Sequence, residues 1–249
     1  MEIPELSWLA IAVMCGAVII ASVITSVTGM AGGILMFAAM SIYIPLKPLI
    51  ATHGAVQIFN NATRTWYLRK HIHWQKCWPF IVGATLGTVV TTVFIAEYLG
   101  EFYPLLLLVG LTIYTLFKPK RLPDIKVADK HFVWVGFATG FIGITVGVID
   151  PILAVFFMRD DLSKEAIIAN KSMMQAYTHL TKIPAFIYLG FSFIDAFELI
   201  LILSLAGVVG AKLGVWLLDK IDNQLFFKLM RFTLFLALIK MLYQLYSLL

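Results

Sequence analysis

The sequence is poor in charged residues. Asp, Glu, Lys and Arg make up 13% of the 249 residues, against about a quarter in an average soluble protein. Hydrophobic residues make up 61% of the chain, and the mean hydropathy is +0.91. Long apolar runs lie at 80–96, 105–117 and 199–218. This composition excludes an ordinary soluble domain and predicts an integral membrane protein whose surface contacts the lipid bilayer.

Cysteine is also scarce, and the familiar catalytic patterns are missing. The two cysteines, Cys15 and Cys77, have no motif partner, so we expect no disulfide framework. The sequence contains no HExxH, CxxC or GxSxG pattern, which would indicate a zinc site, a redox pair or a nucleophile. We therefore expect no enzyme activity, no catalytic residue, no metal and no cofactor. An intramembrane enzyme is kept as a competing class.

Positive charge exceeds negative charge, with a formal net charge of +5. The basic residues concentrate in two short segments between apolar runs, at 69–76 and 118–130. Lys and Arg near the ends of spans set the orientation of a membrane protein. We therefore expect both segments to face the cytoplasm, and we expect no nucleic acid to bind. The residues before the first apolar run are acidic, so a cleaved signal peptide is not expected.

The apolar runs and their breaks predict an all-α polytopic fold with short connections. We expect ten helical segments, at 8–27, 33–44, 48–69, 76–97, 102–118, 131–146, 151–159, 163–189, 194–218 and 223–247. The charged stretch after the fifth segment separates two halves. We expect one transmembrane transporter domain over 1–249, made of repeat 1 at about 8–118, a linker at 119–130 and repeat 2 at about 131–249.

The two halves repeat at a spacing of 118 residues, and the matched residues are polar inside apolar helices. In each half they have an i, i+4, i+7, i+11 pattern, which places them on one helix face. The first stripe is His53, Gln57, Asn60 and Arg64, and the second is Lys171, Gln175, Thr178 and Lys182. Buried polar side chains need partners, so two matched stripes predict a site where the repeats meet. The alternative is that these groups hold helix pairs together.

Each half starts with an apolar helical segment, a break of small residues and a second, shorter segment. Gly29 in the first break matches Gly147 in the second, again at a spacing of 118. The region 131–160 holds two segments but is shorter than the roughly 40 apolar residues that two crossings need. We therefore expect re-entrant helices that break inside the membrane. Opposed charge in matched loops predicts repeats of inverted topology in the inner (plasma) membrane, with both termini extracytoplasmic.

The chemistry of these residues suits an anion. A helix that starts inside the membrane directs N–H groups and a positive dipole end at the midplane, and glycine lets an oxyanion approach closely. Arg64 can bind a sulfonate or carboxylate in bidentate fashion, although Arg64 and Lys182 could instead snorkel to the surface. We predict that the substrate-binding residues are Gly29, Gly32, Gly33, Gln57, Asn60, Asn61, Arg64, Gln175, Thr178, His179 and Lys182.

Two residues are candidates for ion coupling. Asp150 precedes Pro151 at the start of the second short helix, and an N-cap is the simpler interpretation. A carboxylate inside the membrane is also a functional candidate, which here could bind a proton or Na⁺, or neutralise Lys171 or Lys182. His179 can change its protonation near neutral pH. A packing histidine is the alternative at that position.

The arrangement resembles a known family. A glycine-rich break followed by two further helices opens the first half, in Thr28-Gly-Met-Ala-Gly-Gly33-Ile-Leu and Ala51-Thr-His-Gly. In the second half the resemblance is carried by Thr145-Val-Gly-Val-Ile-Asp-Pro-Ile-Leu and by Gly207-Val-Val-Gly210-Ala-Lys-Leu-Gly214. Over nearly the whole chain the sequence is similar to the TauE/SafE family of sulfite and organosulfonate exporters. The resemblance implies transport of a small sulfur-containing or carboxylate anion. The second break departs from it, because Ile149-Asp150-Pro151 stands where the family usually has glycines.

These observations predict a secondary transporter that moves a small anion by alternating access. Coupling to a proton or a sodium ion and assembly as a homodimer are left open, as is the direction of transport. An anion channel is the first alternative, because the sequence does not separate it from a carrier. A membrane-protein assembly factor without transport is another, although it would not need two polar stripes at the centre.

Overall fold

The computed structural model of the protein describes residues 3–95, 102–117, 126–147, 149–159 and 161–247. Within these ranges the chain forms ten α-helices and no β-strand. The helices are α1 (Trp8–Thr28), α2 (Gly32–Met40), α3 (Leu46–Tyr67), α4 (Trp74–Val90), α5 (Phe102–Phe117), α6 (Phe132–Val146), α7 (Asp150–Phe157), α8 (Lys164–Tyr188), α9 (Phe197–Leu218) and α10 (Asn223–Tyr246). The all-α prediction and its ten segments are thereby confirmed.

The largest boundary differences have local causes. The predicted segment 33–44 is shorter in the structure, because α2 ends at Met40 and a turn leads into Pro45, a residue that restricts the backbone before it. The predicted segment 76–97 ends early as an α-helix, and its backbone continues as a π-helix at Thr91–Ile95. The predicted outer loop at 97–101 and the linker residues 119–125 lie outside the described residues.

Three of the helices are long and apolar enough to cross a membrane, namely α1, the segment Trp74–Phe94 that includes α4, and α9. Large apolar side chains cover the outside of the protein, among them Trp8, Ile20, Trp134 and Phe232. Such a surface would be unfavourable in water, whereas it matches the hydrocarbon of a bilayer. The protein is therefore a polytopic membrane protein, as its composition predicts.

Both halves begin with a broken helix, as predicted. Gly29 ends α1 at φ +70°, and Gly147 ends α6 at φ +81°. Both values lie in the left-handed region that glycine adopts without a steric penalty, which lets the chain turn sharply after the helix. After each break a short helix begins, α2 at Gly32 and α7 at Asp150. The two breaks therefore place two helix N-termini in the interior of the protein.

Two helix crossings bring backbones into direct contact. Gly83 and Gly87 of α4 face α6 so closely that a Cβ at either position would collide with the α6 backbone. Gly136 and Gly140 of α6 face α4 in the same way. On the other side of the molecule, α9 packs against α1, where a Cβ at Gly214 would lie 2.5 Å from Ser26 Cβ. Small residues permit this close packing of membrane helices, and the first helix of each broken pair is thereby fixed to a longer helix.

Candidate functional site

The two polar stripes face each other between α3 and α8. Each of their side chains is at most 4% exposed. The α3 residues are His53, Gln57, Asn60, Asn61 and Arg64, and the α8 residues are Lys171, Gln175, Thr178, His179 and Lys182. With Asp150 from α7, also 4% exposed, we call these residues the central cluster. Its side chains compensate for their burial largely by contacts with one another, as buried polar groups must.

Arg64 is bound from three directions. Its Nη1 donates to Asn60 Oδ1 at 3.1 Å, its Nη2 to Asn61 Oδ1 at 2.6 Å, and its Nε to Ser172 Oγ on α8 at 3.1 Å. Asn60 in turn donates to Gln57 Oε1 at 2.9 Å. The alternative that Arg64 snorkels to the surface is therefore wrong, because amide oxygens of its own helix hold the guanidinium inside. The guanidinium has five N–H groups, so two lie beyond these contacts.

Each lysine of the second stripe binds the carbonyl group at the end of a broken helix. Lys171 Nζ donates to Gly29 O at the first break, and Lys182 Nζ donates to Gly147 O at the second break, at 2.8 Å. Carbonyl groups at a helix C-terminus carry partial negative charge and lack partners in the helix, so an ammonium group stabilises them. Lys182 therefore does not snorkel either, and α8 connects the two breaks.

Asp150 points across the molecule from the second break to the first. Its Oδ1 accepts a hydrogen bond from Gln175 Nε2 at 2.6 Å and lies 3.9 Å from Lys171 Nζ. Its Oδ2 lies beside Gly33, where an added Cβ would be 2.7 Å from this oxygen and 2.8 Å from Gln57 Nε2. The N-cap interpretation is wrong. The N-cap of α7 is Ile149, whose hydrocarbon side chain cannot cap the helix. The Asp150 carboxylate lies one position later and accepts from Gln175 on α8.

Two histidines lie at the middle of the central cluster. The rings of His53 and His179 are 5.8 Å apart and nearly perpendicular. His53 Nε2 contacts Gly33 O at 3.1 Å. The Nδ1 atoms of both histidines are buried and have no hydrogen-bond partner among the described residues. Buried polar atoms without a partner are rare in folded proteins, so these two nitrogens are free to contact a ligand.

The predicted site residues differ in their surroundings. Gly33 faces the central cluster, whereas Gly32 packs against α1, where a Cβ would collide with Thr25. Gly32 therefore has a packing reason to be glycine. Thr178 Oγ1 donates to Met174 O of its own helix at 2.9 Å. Ser172, which accepts from Arg64, was not predicted, because its repeat mate at a spacing of 118 is Gly54 and has no side chain to match.

The charges of the central cluster are unequal. Among its described residues three cations, Arg64, Lys171 and Lys182, accompany one carboxylate, Asp150. In formal charge the cluster is therefore positive at the centre of an apolar protein, where an uncompensated charge is costly. Within the described parts of the chain, no three His, Cys, Asp or Glu residues are grouped closely enough to hold a metal ion. The arrangement suits a small oxyanion, whose oxygens can accept from amide, guanidinium and ammonium donors.

A comparison with known proteins agrees with this chemistry. The family model described as sulfite exporter TauE/SafE matches residues 14–241. No curated protein and no solved structure matches the chain. The matched residues include both breaks and both polar stripes, and they cover nearly the whole sequence. The chain therefore belongs to the sulfite exporter TauE/SafE family and is a membrane transporter.

Proposed function

We propose that this protein is a secondary transporter that moves a small sulfur-containing or organic anion by alternating access. Sulfite, an organosulfonate or a small carboxylate would be its substrate. The observation that carries this proposal is the buried excess of positive charge in the central cluster. A transported oxyanion would compensate that charge inside the membrane, where water cannot.

The donors around the Asp150 carboxylate support a substrate position at the same place. The carboxylate accepts from Gln175 and lies beside Lys171, Gly33 and Gln57. A carboxylate and a sulfite or sulfonate group present similar oxygens to such donors. The position also lies at the start of α2, where the helix dipole favours negative charge. Asp150 thus acts as an internal counter-ion when no substrate is bound, and the substrate takes its place.

This exchange provides a reason for coupling. Two anions at one small site repel each other, so substrate binding is favoured when Asp150 is neutralised or displaced. A proton on Asp150 or a sodium ion beside it would supply that neutralisation, and His179 within the central cluster is a second candidate proton acceptor. The proposed cycle therefore carries an anion together with a proton or a sodium ion.

Alternating access is consistent with the repeats. We infer that the halves at about 8–118 and 131–249 have inverted topology and that the linker is cytoplasmic, which leaves both termini extracytoplasmic. Every side chain of the central cluster is at most 4% exposed. A site closed to both sides is typical of a carrier between its open states, whereas an open channel would expose its polar residues along the pore. Burial thus favours a carrier over a channel.

Transport assays in proteoliposomes would test this function. Purified protein is reconstituted, and uptake of sulfite, isethionate and acetate is measured in parallel. We expect saturable uptake and counterflow of at least one of these anions, and loss of both in Arg64→Ala. Lys212→Ala is the matched control, because Lys212 is an exposed cation of α9 outside the central cluster. Flux that does not saturate would indicate a channel, and absence of flux for all three anions would contradict the proposed substrate class.

A further inference from the structure

A small cavity lies next to the central cluster but on the other side of α2. It holds about 20 Å³, enough for roughly one water molecule. Ile34 and Phe37 of α2 line it together with the start of α5 and with Pro151. Lys240 and Gln244 of α10 complete its wall. The cavity therefore places a cation of α10 beside the beginning of both short helices.

Lys240 is unusual for its position. It lies in α10 next to Ile239, which is 50% exposed on the apolar outside of the protein. Its ammonium group does not extend past the helix end. Instead it lies 5.4 Å from the centroid of the Phe37 ring, a cation–π contact. Among the described residues no carboxylate forms an ion pair with it. Within the described parts of the chain, Lys240 is thus a cation without an anionic partner at the edge of a cavity.

Phe37 separates this cavity from the central cluster. Its ring contacts the His53 ring edge-on, with centroids 5.3 Å apart. A Cβ at Gly147, whose carbonyl binds Lys182, would lie 3.0 Å from Phe37 Cε2. The ring therefore has Lys240 on one side and residues of the central cluster on the other. A rotation of this single side chain would remove the ring from between Lys240 and His53.

We propose that Lys240 is an accessory anion-binding residue at the mouth of the transport path, and that the Phe37 ring closes this path against the central cluster. The proposal rests on the proposed function, because the ligand is the same small oxyanion. The Lys240 ammonium draws the anion out of water and holds it beside Phe37. Displacement of the ring then exposes His53 and the donors behind it. Because Lys240 lies near the end of α10, this mouth is on the extracytoplasmic side in the proposed topology.

Cysteine labelling tests the path without requiring transport. Cys15 and Cys77 are first replaced by alanine. A cysteine is then placed either in the cavity, as Ile34→Cys, or beside Gly147 and Phe37, as Ile50→Cys. Each is treated with a small sulfonate-bearing methanethiosulfonate and with a trimethylammonium analogue. We expect Phe37→Ala to accelerate labelling of Ile50→Cys by both reagents and to leave Ile34→Cys nearly unchanged. Phe37→Leu provides a milder opening should the alanine variant unfold.

Lys240→Gln is expected to slow the anionic reagent relative to the cationic one at both cysteines. The ratio of the anionic to the cationic labelling rate should fall by about fivefold to tenfold, in the range of one partly exposed charged contact. Lys228→Gln is the matched control, because it removes the same charge from an exposed position of the same helix. Lys240→Arg should restore the ratio. An unchanged ratio in Lys240→Gln, or an equal change in Lys228→Gln, would overturn the role of Lys240.

Sulfite uptake separates failure of this inference from failure of the proposed function. In Lys240→Gln we expect the KM to rise by about fivefold to tenfold, with binding of sulfite to the detergent-solubilised protein changed less. Uptake and sulfite binding could instead weaken equally, with a lower unfolding temperature and no rescue by Lys240→Arg. That result would show that Lys240 has a packing role only. Wild-type protein that moves no sulfite but keeps the labelling pattern would contradict sulfite as substrate and retain the path. Normal sulfite uptake without the labelling pattern would contradict the path alone.

Discussion

At the residue scale, the functional proposals depend on how each buried charge is held. Arg64 is bound by amides and a hydroxyl, and Lys171 and Lys182 bind helix-end carbonyls. Among the described residues of the central cluster Asp150 is the one anion, and it lies 3.9 Å from Lys171. Neutral oxygen atoms orient a cation without cancelling its charge. The cations are therefore already oriented for a negative ligand. Binding then needs little rearrangement of side chains, so little binding free energy is spent on ordering them.

Removal of a cluster cation should weaken anion binding. Arg64→Ala and Lys182→Ala are each expected to reduce the affinity for sulfite by roughly 1.5–3 kcal/mol, the range for hydrogen bonds to charged groups. Arg64→Lys should not restore it, because the three contacts come from three separate nitrogens of the planar guanidinium, whereas an ammonium has a single nitrogen. Isothermal titration in detergent measures the change, with Lys212→Ala as control. Unchanged affinity in a folded Arg64→Ala protein would remove Arg64 from the site.

Removal of the Asp150 charge should uncouple transport. Asp150→Asn preserves the shape of the side chain but cannot bind a proton or attract Na⁺. We expect the variant still to bind sulfite. We expect uptake by the wild-type protein to rise when the outside is made more acidic or richer in sodium, whereas uptake by the variant should not change. Uptake rises in this direction because neutralising Asp150 removes a competing anion. Uptake under imposed gradients measures this, with the exposed Asp195→Asn as control. Gradient dependence that persists in Asp150→Asn would assign coupling elsewhere.

The sequence was a good guide to which side chains lie together in the structure, and a poorer guide to the contacts that they form. The 118-residue spacing identified both stripes, and the structure brings them into one cluster, although their role in binding stays a prediction. Ser172 was missed because its repeat mate is a glycine. The N-cap interpretation of Asp150 was wrong because capping was judged from its own helix, whereas its donors are on α8. Partners supplied by a distant element leave no trace in local spacing.

At the element scale, the two broken helices differ in the residues that begin the short helix after the break. The first short helix begins with two glycines, whereas the second begins with Asp150 and Pro151. The bare backbone of α2 can approach a ligand, whereas the carboxylate of α7 leaves its own helix to reach α2. The glycine pattern in the sequence was sufficient to predict both breaks. Helix ends such as Met40 were less certain, because a turn and an apolar helix end have similar composition.

A methyl group at Gly33 should obstruct the anion. Gly33→Ala would place a Cβ 2.7 Å from Asp150 Oδ2 and 2.8 Å from Gln57 Nε2, so both side chains must shift. We expect sulfite affinity to fall strongly, and Gly33→Leu to abolish it. Gly16→Ala is the matched control, since a Cβ there would meet nothing within 4 Å. Equal affinities of Gly33→Ala and Gly16→Ala would place the substrate away from α2.

A methyl group at Gly87 should separate α4 from α6. Its Cβ would collide with the backbone carbonyl of Phe137, and overpacking of this kind costs about 1–3 kcal/mol. We expect Gly87→Ala to lower the unfolding temperature of the purified protein in detergent. Gly110→Ala in α5 should not, because its Cβ would meet nothing within 4 Å. If both variants unfold at the same temperature, the α4 and α6 backbones are farther apart in the protein than in the structure.

At the scale of the whole molecule, a polar cluster lies inside an otherwise apolar core, and large apolar side chains also cover the outside. Composition alone predicted this apolar surface, and the family match over residues 14–241 agrees with it. The relative orientation of the halves was inferred from loop charge rather than from packing. The segments at 97–101 and 119–125, which that inference uses, lie outside the described residues.

The orientation of the chain can be measured directly. We expect reporter fusions at the N-terminus and the C-terminus both to indicate an extracytoplasmic location, because inverted repeats joined by a cytoplasmic linker require it. A cysteine at the exposed position 126 should react only after the inner face is opened to an impermeant reagent. Cys15 and Cys77 are replaced beforehand. Termini on opposite sides of the membrane would contradict the inverted repeat.

The glycine crossings also determine which parts of the protein can move. Where backbone rests on backbone, as between α4 and α6 and between α1 and α9, neither helix can slide or roll without a collision. We therefore expect each crossing to move as a rigid body together with its own break. In alternating access the two bodies would then tilt against each other along the seam between α3 and α8, where the side chains of the central cluster meet. Spin labels placed within one body should keep a constant separation through the cycle, whereas labels on opposite bodies should show two populations of distances.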